Sequence, residues 1–166
     1  MLVNFSQVYI EPGIWFPFSH HFQNRLSEAV TERVMPSDTF LSQYGSECAL
    51  TINVSAKKAL RQTEVRGPAV FRGAKDVEYT VFLPYSAIVK RPDAPRVAVK
   101  YLLDAACDIF ESLDIDTTRL RVDQSELVTS ICSDATALAE PTWDESANRS
   151  RARRVFDEFF RPKQRD

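Results

Sequence analysis

The sequence predicts an α+β fold: a mostly antiparallel sheet of about five strands with about three helices packed on one face, formed by residues 1–166 as a single domain. Three observations lead there. Apolar residues recur with period two in some stretches and every third or fourth residue in others, in the order strand, helix, strands, helix, strand, helix. Successive strand patterns follow one another across short turn signals, which implies an antiparallel meander. A chain of 166 residues with 44% hydrophobic and 27% charged residues sits near the globular average and buries about two-thirds of its unfolded surface without disulfides or metals.

Leu2 to Ile10 is rich in Val, Phe, Tyr and Ile and stops at Glu11-Pro12-Gly13, as a strand closed by a turn does. Ser19 then caps a helix whose apolar positions Phe22, Leu26, Val30 and Val34 recur every fourth residue, until Pro36 ends it. Residues 36–46 are turn-rich. Cys48, Leu50, Ile52 and Val54 alternate with Ala49, Thr51, Asn53 and Ser55, the pattern of a half-buried strand. From Thr63 to Phe71 a further strand is interrupted by Gly67-Pro68; proline cannot donate to a ladder, so this strand is bent or at an edge. Arg72 to Lys75 forms a hairpin loop, and Val77 to Tyr85 alternates again until Pro84.

Asp93-Ala94-Pro95 opens the longest helical pattern, with Val99, Leu102, Leu103, Ala106, Ile109, Phe110 and Leu113 on one stripe. Thr118 to Val122 is a candidate short strand, and residues 124–139 fit a helix by Leu127, Ile131, Ala135 and Leu138 but a strand by β-branched content. A last helix begins at the capping box Thr142-x-x-Glu145 and runs until Arg161-Pro162.

The start Met1 to Gln7 has no early Lys or Arg and is broken by polar residues, unlike a secretory signal, and no apolar run approaches the roughly 18 residues of a membrane span. Cys48, Cys107 and Cys132 are an odd set without a C-x-x-C pair, which suits a reducing cytosol better than a disulfide framework or zinc site. Only four glycines occur, far apart, so the loops of dinucleotide and nucleoside-triphosphate enzymes are missing, as is the G-x-S-x-G elbow.

The net charge of −2 conceals strong blocks: −3 over residues 1–56, +6 over 57–100, −9 over 104–145 and +4 from 146 on. Interleaving on folding is the default expectation, with the fields cancelling within a Debye length of about 8–10 Å.

Each chemistry-bearing group also admits a plainer role. His20 and His21 are the only histidines; as helical neighbours they point about 100° apart and cannot share one ion, though either could act alone as a base. Asp104, Asp108 and Glu111 lie on one side of a helix with Asp114 and Asp116 beyond, a set that hard cations accept. The plainer reading makes them the wet face of a core helix, so that neutralising all three leaves folding intact. The cysteines stand in apolar patterns as small hydrophobes rather than nucleophiles. Trp15, Phe16 and Phe18 crowd a proline-bracketed connection, where burial is the commoner fate and a partner interface the alternative.

No catalytic residue, cofactor or metal is therefore expected. The preferred function is a non-catalytic cytosolic protein that binds and inhibits a partner, like the immunity proteins that neutralise bacterial toxins; the likeness is one of size, acidity and solubility, not of residues. Asp114, Asp116, Asp123 and Glu126, with Trp15 and Phe16, are the candidate contacts to a basic toxin domain, and neutralising the four acids is expected to cost little stability. One alternative is a small enzyme with a site near His20 and His21 or near Asp104–Asp116. The other is a nucleic-acid-associated accessory protein using Arg149, Arg151, Arg153 and Arg154.

Overall fold

A strand that begins Leu-Val-Asn-Phe-Ser puts Val3 and Phe5 on one face and Asn4 and Ser6 on the other, and in the computed structural model the first pair is buried and the second half-exposed. The structure describes residues 1–14, 16, 20–70, 76–89 and 92–138, and backbone only at 69–70 and 134–138. Met1–Ala135 forms one compact unit and Thr136–Asp166 a second; the core and the surfaces described below belong to the first.

In chain order the elements are β1 (Leu2–Ile10), α1 (His20–Thr31), β2 (Met35–Pro36), α2 (Asp38–Tyr44), β3 (Ala49–Ala56), β4 (Glu64–Val70), β5 (Val77–Leu83), a 3₁₀ turn (Tyr85–Ala87), α3 (Ala94–Ser112), β6 (Ile115–Asp116) and α4 (Thr118–Leu138). The α+β class holds, but the sheet differs from expectation. It has four strands in the order β1-β3-β5-β4, with β1, β3 and β5 parallel and only β4 antiparallel to its neighbour; β2 and β6 make a separate two-stranded antiparallel ladder. Alternation along a strand specifies its buried face but not its partner. The chain from β3 to β4 passes over the end of β5, where Tyr85 N–H donates to Leu60 C=O at 3.2 Å, so the strand that follows β3 in sequence pairs on the far side of β5.

The parallel register stacks Val3, Leu50 and Val77 in one row and Phe5, Ile52 and Tyr79 in the next, all buried. Phe22, Leu26 and Val30 of α1 and Val99, Leu102, Ala106, Ile109 and Phe110 of α3 join these rows in one core. The other sheet face carries the polar rows Asn4–Thr51–Glu78 and Ser6–Asn53–Thr80–Arg66.

β1 is an edge strand, and α1 covers its free side. Thr31 and Ser27, one helical turn apart, accept the outward N–H groups of Val3 and Phe5, each at 3.0 Å. The other edge, β4, is broken as its sequence predicts: the ladder to β5 shifts register between Arg66 and Ala69, around Gly67-Pro68.

Three local expectations are corrected. The first helix ends at Thr31, not Val34, because residues 35–36 leave to pair with β6. Within the turn-rich stretch 36–46, Ser37 accepts the Phe40 N–H and caps the short helix α2, which buries Phe40 and ends at Gly45 with φ 85°. Seven residues are too few for a periodic signal. The supposed strand Thr118–Val122 is the first turn of α4, which also claims the ambiguous stretch from 124 and buries Leu120, Leu127, Val128 and Ile131. Its β-branched Val122 points into water. The hairpin loop 72–75, the Ser19 cap and the helix from 142 lie outside the described residues.

Two substitutions test this packing. Phe110→Ala empties a fully buried ring position and is expected to cost about 3–5 kcal/mol. At Gly67 a Cβ would stand 2.5 Å from Cδ1 of the buried Tyr79 ring, so Gly67→Ala is expected to cost about 1–3 kcal/mol. Urea unfolding measures both; a neutral Gly67→Ala would mean that β4 does not close onto Tyr79.

Candidate functional site

Because α1 runs back along β1, with Thr31 at Val3 and Ser27 at Phe5, His20 and His21 stand beside the C-terminal end of β1 while the chain after α1 emerges at its N-terminal end. The two residues of β2 pair there with β6, Met35 with Asp116 and Pro36 with Ile115. Asp114, which turns the chain out of α3 with φ 58°, accepts the Ser37 N–H on its carbonyl at 3.3 Å. The histidines and the acids Asp114 and Asp116 are thus held at opposite ends of α1, a helix about 18 Å long, and form no acid–base pair. Both histidines are exposed.

The acids of α3 are not simply a wet face. They line the seam with α4: Gln124 Nε2 donates to Asp104 at 2.6 Å, while Arg121 meets Glu111 at 2.7 Å and Asp108 at 3.7 Å. Thr117 Oγ1 also donates to Glu111, at 2.8 Å. These donors hold the Glu111 carboxyl below its usual range, the Arg121 hydrogen bond being the larger cause.

The four acids predicted as one partner-binding set are divided by the fold. Asp123 turns inward to Arg33 at 2.9 Å, with both side chains mostly covered, and lies 4.0 Å from Arg119. Asp116 accepts from Thr118 Oγ1 at 2.6 Å and Thr118 N–H at 2.9 Å, which caps α4 and lowers the Asp116 pKa. Among the described residues, the Asp114 and Glu126 side chains carry no such anchoring bond, so neutralising all four would loosen α4 as well as change its charge. Phe16 is half-buried against the core with Ile14; Trp15 and the arginines 149, 151, 153 and 154 lie outside the described residues.

Around β2 and β6 the surface forms a cleft of about 360 Å³ lined by Met35, Ser37, Glu111, Asp114 and Asp116 among others. Met35 is 70% exposed, and Val122, on the first turns of α4 beside the Arg33–Asp123 bridge, is 78% exposed. No other large apolar side chains among the described residues are as exposed. Sequence reasoning passed over both. Met35 read as the end of a helix and Val122 as strand propensity; an apolar residue on the polar side of a helical pattern was the available signal.

Burial pushes all three thiols up, Cys107 to about 11, so none is an activated nucleophile. Among the described residues no three His, Cys, Asp or Glu side chains converge as a metal site needs, and no helix is long and apolar enough to cross a membrane. No protein-family model, curated protein or solved structure matches the chain.

The seam predicts an outcome opposite to the wet-face expectation. Asp104→Asn, Asp108→Asn and Glu111→Gln together should speed hydrogen exchange in residues 118–132 while β3 and β5 stay protected. Acid should act alike: the folded pKa values of Glu111 and Asp116 are lowered, so their contribution is complete above the ordinary carboxylate range near about 4 and disappears as pH falls through their folded values. Exchange in α4 unchanged by the triple variant would show that the seam bonds do not hold the helix.

Proposed function

We propose that the chain is a non-catalytic protein-binding domain that neutralises a basic partner by direct contact, in the manner of the immunity proteins that block bacterial toxins. One observation carries this reading: the exposed Met35 stands in a cleft edged by Glu111, Asp114 and Asp116. An exposed, adaptable thioether amid carboxylates combines an apolar anchor with a field that draws cations. A protein whose own substrate is nucleic acid presents a cationic cleft, and carboxylates here would occupy the places of phosphates. The buried, separated cysteines suit work in a reducing cytosol.

A small enzyme with a site near His20 and His21 or near Asp104–Asp116 is the less favoured reading; the histidines and the acids Asp114 and Asp116 stand at opposite ends of α1, so each site would have to work without the other.

The test needs variants that leave the seam intact. Asp114→Asn keeps a residue type that tolerates positive φ, and Glu126→Gln alters an exposed side chain of α4. With the partner identified by cross-linking in the source cell, stopped-flow mixing at two ionic strengths should show slower association and a flatter salt dependence for this double variant. Met35→Ala should instead speed dissociation, at a cost of about 1–2 kcal/mol. A partner that binds both variants like the parent chain would remove the cleft from the interface.

A further inference from the structure

The opposite end of the sheet has a different electrostatic character. Between β3 and β4 the loop 57–63 is fixed at two points: Lys58 N–H donates to Glu11 Oε2 at 2.7 Å, and Leu60 C=O accepts from Tyr85 N–H. This fixed loop presents Lys57, Lys58 and Arg61, none of which forms an ion pair among the described residues. The arginines at the cleft end, Arg33, Arg119 and Arg121, are all paired to carboxylates. Part of the +6 block of the sequence thereby stands at one place, with the Glu11 carboxylate as the acid fixed against it.

Aromatic residues occupy the same end of the sheet, and one of them meets Lys57. The ladder places Tyr9, Ser55 and Phe82 in one row on the sheet face opposite the main core, with Tyr9 and Phe82 two strand spacings, about 10 Å, apart; Ser55 and Phe82 are buried there, and Tyr9 is not. Lys57 Nζ lies 4.9 Å and Arg66 Cζ 4.7 Å from the Phe82 ring centre. Tyr9 is 46% exposed, and Tyr85, hydrogen-bonded to the same loop, is 42% exposed. Unpaired cations alone would suit any polyanion. Exposed rings beside them add flat apolar surfaces that a sulfated sugar or a free phosphate does not use but an unstacked base does. No described helix projects from this end to enter a duplex groove.

We infer that the C-terminal end of the parallel strands binds single-stranded nucleic acid, with Lys57, Lys58 and Arg61 contacting phosphates and Tyr9 and Tyr85 stacking on bases. This surface is separate from the cleft at Met35, and neither depends on the other.

Fluorescence anisotropy of the full chain with a labelled oligothymidylate tests it, with unlabelled heparin as the polyanion without bases. Three phosphate contacts give a salt slope of about −2, so affinity should fall about 20-fold between 50 and 200 mM salt. Residues 146–166 carry seven further basic groups, so substitutions rather than bare binding decide. Lys57→Ala, Lys58→Ala and Arg61→Ala together should flatten the slope. Tyr9→Leu and Tyr85→Leu, made singly, should each weaken binding roughly five- to hundredfold with the slope kept. Absence of binding at 50 mM salt, or affinity unchanged in the triple variant, overturns the proposal. Neutral tyrosine variants with heparin competing as well as the oligonucleotide also overturn it, leaving a polyanion patch only.

Discussion

β3 lies between β1 and β5 and runs parallel to both, so each connection into and out of it must bring the chain back along the sheet. Between β1 and β3 that return is made by α1, and its apolar stripe has to bury itself somewhere; the nearest apolar surface is the face built by Val3, Phe5, Leu50 and Ile52. Between β3 and β5 the return is β4 itself, laid antiparallel along the far side of β5. The one-sided core, the position of the helices and the exposure of the polar rows follow from this requirement.

The same requirement leaves two strand edges, and each is managed differently. On β1 the hydroxyls of Ser27 and Thr31 take the place of a neighbouring strand, which works because a helical turn matches two residues of strand closely enough for both bonds to form. On β4 the register shift at Gly67-Pro68 interrupts the hydrogen-bonding row. A sheet with one wet face and two open edges invites pairing with other chains; here hydroxyls on one side and an irregular strand on the other oppose it.

Parallel strands also sort charge. Connections leaving the C-terminal ends carry Lys57, Lys58 and Arg61, whereas the turn from α3 to α4, which lies by the N-terminal end of β1, carries Asp114 and Asp116. Carboxylates within the α3–α4 seam are taken up by Arg121, Gln124 and Thr117. Carboxylates outside these bonds stand at the end of the seam rather than along its length, beside Met35.

The sequence by itself determined the elements whose signal is local: β1 from its β-branched and aromatic content closed by a turn, β3 and β5 from alternation, α3 from its long apolar stripe, and the irregular edge strand from Gly67-Pro68. It also marked the cysteines as core residues, since a thiol in phase with Leu50 and Ile52 is on their face whatever the fold. Tertiary structure alone decided that the central strands are parallel, because alternation is identical for either pairing. It decided that Asp123 faces Arg33, ninety residues away, and that Asp116 caps a helix, which separated four acids that look equivalent along the chain. It also decided that Met35 is exposed, since the two residues of β2 are strand only because β6 is there to bind them. Backbone propensity and side-chain period act over a few residues, while partner, register and burial are set by groups brought together from distant parts of the chain.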